Sequence, residues 1–322
     1  MFQLYLTYVS TEKEALENFW NRSRAITSQR RGSSTCKPES QLGRIEVLFF
    51  ADNKVALNRF HETDFKPLAI HLENDLLHIS ATDNNIYILD DSFRFIKIIA
   101  NRLFNSIHTI RKLGNCLYLS STGIDSILKA NDLYGSFVII WKAMGTKYGY
   151  FPDGIEREID YKVSHNETTY PTLQQTTHIN SCEPYIDNSG TPYLFSTLFH
   201  QGVVLKINMC TGDSEEFLRD LDSPHSFRIY NALGHDLAIV CDSNNNKVLL
   251  DIDLVDSKKG YRVLEDNFKW VQDAGVVENK VLWVLDANNY RVAFYDYVTL
   301  RHIVDYCFNT TYRIFSATAR MD

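Results

Sequence analysis

Three histidines and one carboxylate recur at related places along this chain, and they are its most promising chemistry. They are His108 in Ser106-Ile107-His108-Thr109, His178 in Thr177-His178-Ile179-Asn180, His225 in Ser223-Pro224-His225-Ser226, and Asp273 in Val271-Gln272-Asp273-Ala274. Three neutral imidazoles converging on one point suit a divalent metal ion and leave a coordination position open for water or substrate. Without a metal, one imidazole can act as a general base near neutral pH. The bland alternative is that each ring caps its own strand and bonds a nearby turn. Asn180 and Arg228 follow close behind and suit a carbonyl or anionic substrate, or a tie between neighbouring segments. Tyr161 is a further substrate-contact candidate. His71 matches the recurring position poorly, His200 falls at a turn and is expected to face solvent, and His78, His235 and His302 read as structural.

What must position these residues is a repeat. Its clearest copy is Leu282-Trp283-Val284-Leu285-Asp286-Ala287-Asn288-Asn289-Tyr290-Arg291-Val292-Ala293-Phe294-Tyr295-Asp296: an apolar strand, a tight Asp/Asn turn and an alternating strand. Looser copies begin at Leu76, Cys116, Tyr193 and Leu237. Strand-only units recurring at about forty residues cannot bury their apolar faces alone, and they predict four-stranded propeller blades. Five full repeats run at about 64–100, 104–143, 178–220, 223–266 and 269–308. IEVLFF/KVALNRF at the front and TYRIFSATA at the back are each too small for a blade. Joined, they make a sixth that closes the ring and removes its free edges. The expected fold is therefore all-β, a six-bladed propeller over 43–322, its last blade shared by both ends of the chain.

Residues 1–42 are set apart as a strand, a helix and a linker. Thr11 with Glu14 forms a capping box, and Leu16, Phe19 and Trp20 make one stripe, which predicts a helix over 12–27. Residues 144–177 break the repeat. A loop of that length is uncommon in a compact domain and is usually functional, and its five aromatic residues, Tyr148, Tyr150, Phe151, Tyr161 and Tyr170, predict a lid over one face.

The phrases LDANNYRVAFYD and CDSNNNKVLLDID resemble the strand-turn-strand core of NHL repeats. The whole is similar to six-bladed propellers of the NHL, gluconolactonase and strictosidine-synthase-like group, over roughly residues 43–322. The likeness is specific in the fifth repeat, fair in the fourth and weak in the first three; in the second, Ile124 stands in place of the expected Asn. The resemblance implies architecture, because that group holds lyases, lactonases, condensing enzymes and pure binding platforms.

The net charge of −7, from 33 Lys and Arg against 40 Asp and Glu, gives no footprint of a nucleic-acid binder. The opening MFQLYLTYV is too short for a membrane span or a signal sequence. The six cysteines form no CxxC pair, which fits a reduced, cytoplasmic protein without nucleic-acid or membrane partners. There is no P-loop, GxGxxG or nucleophile elbow, so no nucleotide or organic cofactor is expected beyond one divalent metal ion. Two function classes remain. One is an enzyme of small-molecule metabolism, of lyase, cyclase or hydrolase type, with its site at one mouth of the channel. The other is a non-catalytic platform that meets a protein partner through the N-terminal helix. In a solvated funnel, His178→Ala with His225→Ala costs only about 0.5 kcal/mol. In a structural role each costs about 1–3 kcal/mol. The functional pattern is the expectation.

Overall fold

A computed structural model describes residues 1–10, 43–131, 136–232 and 234–321. These form 24 strands and, among the described residues, no α-helix. The helix expected over 12–27 lies outside the described residues. Six four-stranded antiparallel sheets make six blades. Five come from consecutive chain. The first blade is β4 (Pro67–Glu73), β5 (Leu76–Ala81), β6 (Ile86–Asp90) and β7 (Phe95–Ile99), and the second is β8 (Ile107–Leu113), β9 (Cys116–Ser121), β10 (Ser126–Ala130) and β11 (Val138–Lys142). The third holds β12 (Ile179–Ile186), β13 (Pro192–Leu198), β14 (Val203–Asn208) and β15 (Ser214–Leu218). The fourth holds β16 (Pro224–Ala232), β17 (His235–Asp242), β18 (Lys247–Asp253) and β19 (Arg262–Glu265). The fifth is β20 (Val271–Val277), β21 (Val281–Asp286), β22 (Arg291–Asp296) and β23 (His302–Cys307).

The closing blade is built from both ends of the chain. Its innermost strand is β24 (Tyr312–Met321), followed outward by β1 (Phe2–Ser10), β2 (Gly43–Ala51) and β3 (Lys54–Thr63). β1 is thus an integral strand of the propeller, pairing with β24 from Phe2↔Met321 to Ser10↔Tyr312 and with β2 on its other side. The boundary drawn at residue 43 therefore separates two strands of one sheet. β1 is apolar on both faces because both are covered: Leu4, Leu6 and Tyr8 pack with Phe294 and Leu285 of the fifth blade, and Tyr5 packs with Ile70 and Leu77 of the first.

Every innermost strand carries a bulge at the same height. The register against the second strand slips between Pro67 and Ile70, Ile107 and Thr109, Ile179 and Ser181, Pro224 and Phe227, and Val271 and Asp273, and at the matching level of β24. A bulge frees a backbone group from the ladder and re-aims a side chain. Here the preceding blade satisfies the strand carbonyls around it. Thr7 Oγ1 donates to the Leu68 carbonyl (2.5 Å), Ser80 Oγ to Ile107 (2.6 Å), Thr197 Oγ1 to His225 (2.9 Å) and Ser243 Oγ to Val271 (2.5 Å). Thr122 Oγ1 does the same for Ile179. Five of the six seams between blades share this hydroxyl-to-carbonyl bond.

Among the described residues no helix is long and apolar enough to cross a membrane. The described cysteines are free, with Cys182 and Cys241 buried.

Thr197→Val keeps the shape of the side chain but leaves the buried His225 carbonyl without its donor. It is expected to destabilise the protein by about 1–3 kcal/mol, read as a fall of a few degrees in the melting temperature. Val at exposed Thr211 should leave that temperature unchanged.

Candidate active site at the channel mouth

The bulge aims one side chain per blade into the central channel. Leu68, His108, Asn180, His225, Gln272 and Phe315 line it, together with Thr109, Arg111, Ser181, Ser226, Asp273 and Ser316, around about 420 Å³ of empty space continuous with solvent. A second tier sits two residues earlier, where the chain approaches each innermost strand. Ser106, His178 and Ser223 there share left-handed backbone, with φ of 52°, 49° and 59°. His178 therefore matches Ser106 and Ser223, and Asn180 is the residue that matches His108 and His225. The alignment of three histidines on one repeat position is corrected by two residues in the third blade. The cause is the bulge, which moves the channel-facing side chain to a place that strand alternation alone does not mark.

The imidazoles nevertheless meet. His178 lies edge-to-face on His108 with ring centres 5.1 Å apart, and Phe199 contacts both His178 (5.1 Å) and His225 (5.2 Å). Trp270 closes the far side of His225 at 5.2 Å. His200, expected to face solvent, instead packs 5.8 Å from His178 and bonds the Thr172 carbonyl through Nε2.

The tautomers follow from the partners, because a carbonyl oxygen accepts and never donates. His108 Nδ1–H donates to the Ser106 carbonyl (2.8 Å), and His225 Nδ1–H to the Ser223 carbonyl (3.0 Å), the same bond to the residue two back in each bulge. His178 Nδ1–H donates to Gln175 Oε1 (2.6 Å), whose amide nitrogen is committed to the Tyr170 carbonyl (2.8 Å). In the neutral ring this leaves each Nε2 as an acceptor. Burial keeps the rings neutral. It lowers the pKa of His108, lowers that of His178 well below the usual imidazole value with help from His108 and His200, and takes His225 to about 3, with Arg313 adding to the effect. Arg313 is a cation close enough to these rings to act on them, its own pKa lowered by burial to about 10. It precedes Ile314 as His178 precedes Ile179, so it occupies the approach tier of the closing blade. That repeat alignment is the sequence signal for Arg313.

Deeper in the channel, charge is spent on structure. Arg228 donates Nε to Asp273 Oδ1 (2.9 Å) and Nη2 to Asp273 Oδ2 (2.6 Å) and the Ala317 carbonyl (2.7 Å), tying the fourth, fifth and closing blades. Burial alone would raise the Asp273 pKa, but the guanidinium outweighs it and the net shift is downward. An ionised, bidentate carboxylate is a poor proton carrier, so Asp273 and Arg228 hold the ring together rather than join the imidazoles. Asn180 does face the channel. Its Nδ2 donates to the Pro224 carbonyl (3.3 Å), while its buried Oδ1 has no partner.

Tyr161 is not at the mouth. It packs with Ile159 and Tyr170 against the core between the first two blades, and the Lys142 ammonium lies 5.0 Å from its ring centre. The later part of the 144–177 insertion is fastened on that side, while Tyr148 packs between the second and third blades and donates to Glu216 Oε1 (2.9 Å). Arg157 pairs with buried Asp125, and Asn105 donates to the His165 (2.8 Å) and Thr168 (2.7 Å) carbonyls. Asn84 and Asn166 exchange side-chain-to-carbonyl bonds of 2.7 Å each. These bonds make the insertion a fixed wall that reaches the mouth through Thr172 and Gln175.

The repeated turn aspartates shape the approach as well. Asp125 accepts from the backbone of Thr176 (2.7 Å), Thr177 (3.0 Å) and His178 (3.0 Å), and Asp286 from that of Lys269 (3.0 Å) and Trp270 (3.2 Å). Asp83 differs, capping its own exposed turn at Asn85 (3.2 Å).

A metal on His108, His178 and His225 is not supported by their spacing. The His/Cys/Asp/Glu group whose ligand atoms all lie within 4.8 Å of one another, among the described residues, is His71, Glu73 and His78. The expected solvated funnel is corrected too, since His178 is 3% and His225 8% exposed. Both therefore contribute to stability whatever else they do.

The neutral, buried histidines set a pH dependence. Their folded pKa values lie below the unfolded value of about 6.5, so the unfolded chain binds more protons below that pH. Stability is expected to be flat with respect to these groups above pH 7. It should fall progressively from about pH 6.5 towards pH 3, by several kcal/mol in total, measured as denaturation midpoints against pH. His225→Gln should flatten that slope.

No protein-family model matches the sequence, and no curated protein matches it. Solved structures do match in fold. A chain of a nidogen/laminin complex superposes with TM-score 0.65 at 11% identity, covering 99% of this chain and 98% of that one. A protein of unknown function from Bacteroides caccae gives 0.57 at 10% identity, with 100% of both chains covered. A catalytically inactive variant of virginiamycin B lyase from Staphylococcus aureus, solved with quinupristin, gives 0.51 at 12% identity, covering 77% of this chain and 86% of that one. These likenesses establish an all-β six-bladed propeller, and at such identities they establish the fold alone.

Proposed function

We propose that the protein is an enzyme acting on a small molecule at this histidine-lined mouth, by elimination, cyclisation or hydrolysis, and that it does so without a metal on His108, His178 and His225. The observation that carries this reading is the pair of matching Nδ1–H bonds in His108 and His225, which leave Nε2 as an unprotonated acceptor in two rings that line the channel. An acceptor array beside a buried guanidinium suits a substrate with an N–H or O–H donor next to a carbonyl or carboxylate. His108 is the most exposed of the three histidines and serves best as general base. Arg313 stabilises the negative charge that develops on the substrate oxygen. His178 and His225 position the substrate through their acceptors, and the Asn180 amide oxygen offers one more.

The known folds do not choose between catalysis and binding, since the matching propellers include a lyase and a member of a protein complex. The competing reading is a non-catalytic platform for a protein partner. It is favoured by the outer strand β7, where Phe95, Ile96 and Ile98 are 61%, 48% and 48% exposed. The helix first considered for that role lies outside the described residues.

The test is to incubate the full chain with a panel of small lactones, esters and β-substituted carbonyl compounds, following products by mass spectrometry. Turnover of at least one class is expected. His108→Gln should lower it by about 100-fold or more, within the range for loss of a general base, and the protein should stay folded. A panel that is neither turned over nor able to raise the melting temperature would overturn the enzymatic reading.

A further inference from the structure

At the opposite end of the channel the first blade brings together a second histidine group. His71 and Glu73 sit two apart on β4, and His78 is the cross-strand partner of His71 on β5. The strands are joined by a tight turn whose two central residues, Asn74 and Asp75, have φ of 47° and 62°. One hairpin therefore presents all three side chains on one face, towards the second blade, and their ligand atoms lie within 4.8 Å of one another. His78 is 2% exposed, and neither of its ring nitrogens has a hydrogen-bond partner. A buried imidazole with both nitrogens unsatisfied is costly unless something occupies the space its lone pair faces.

We propose that His71, Glu73 and His78 form a binding site for a divalent cation of the Zn²⁺ type. Two imidazoles and one carboxylate are a ligand set that zinc accepts, with a fourth position left to water or a further ligand. Burial holds both rings in the neutral form that a metal requires, with pKa values lowered to about 3 for His71 and about 4 for His78. The Lys112 ammonium now pairs with Glu73 and supplies the positive charge that a cation would bring. Their side chains are 28% and 22% exposed, so the lysine can swing into solvent and an ion can enter. Lys112 and Lys97 face His78, and Lys112, Arg111 and Arg228 add positive potential at His71. Displacement of Lys112 is therefore the step that limits affinity. The site is separate from the histidine mouth, because His71 and Glu73 end their innermost strand, with His78 paired to His71 on the next strand, whereas His108 and His225 begin theirs.

The test is calorimetric titration of the chelator-treated full chain with zinc chloride. One equivalent is expected to bind. Glu73→Gln, which keeps the side-chain shape, should weaken binding at least about tenfold, as loss of a ligand charge requires. His78→Phe should abolish it. Lys112→Met should tighten it, and His108→Gln at the other mouth should leave it unchanged. Absence of binding by the wild-type chain, wild-type affinity in Glu73→Gln, or weaker binding in Lys112→Met would each overturn the proposal.

Discussion

The structure depends on one small interaction made again and again: a hydroxyl of one blade donating to a carbonyl beside the bulge in the next blade's innermost strand. Without a donor, each of these buried carbonyls would cost about 1–3 kcal/mol. With it, the bulge is stable and the seam between blades is polar at one defined height. Thr7, Ser80, Thr122, Thr197 and Ser243 supply the donors. The bulge is what turns His108, Asn180, His225 and Gln272 towards the channel at a common level. A repeat selected for packing thereby gains one variable position per blade, and the six side chains found there decide what the channel recognises.

Charge is arranged in two layers as a result. In the channel interior Arg228 and Asp273 satisfy each other bidentately, and Arg111 Nε donates to Glu183 Oε2 at 2.7 Å across the seam between the second and third blades. These pairs are desolvated, so breaking one would leave a buried charge unmatched, and that penalty helps fix how the blades meet. At the mouth the logic is reversed. Imidazoles there lose their charge to burial and retain lone pairs, and Arg313 is a cation close to them. Reactivity is available at the mouth because it is already committed below.

Much of this was legible in the sequence. The five repeats were bounded to within a few residues because an apolar strand, an Asp/Asn turn and an alternating strand recur with a period set by blade size. The closing blade followed from two leftovers, each too short to stand alone. The offset of His178 was not legible, since a bulge leaves no period-two signature and Thr177-His178-Ile179 reads like Ser106-Ile107-His108 until the backbone is seen. Arg313 and Trp270 were within reach of the repeat alignment, since each stands one residue before the strand position that Ile179 occupies in the third blade. The His71 group was hidden differently: its members are close only through hairpin register, for which the sole sequence signal was the turn pair Asn74-Asp75 flanked by apolar strands. Tyr161 was drawn to the site by its place in an unusual loop, and tertiary packing took it to the side of the first two blades instead.

The central claim is that the bulge fixes His108 and His225, two rings that line the channel, as neutral imidazoles with the proton on Nδ1 and the lone pair on Nε2. Long-range ¹⁵N–¹H NMR of the ring nitrogens, recorded between pH 8 and pH 5 with His108→Gln and His225→Gln as assignment controls, tests it directly. The account predicts a protonated Nδ1 and an unprotonated Nε2 for both residues throughout that range. Protonation at Nε2, or conversion of either ring to imidazolium near the ordinary value of about 6.5, would contradict it.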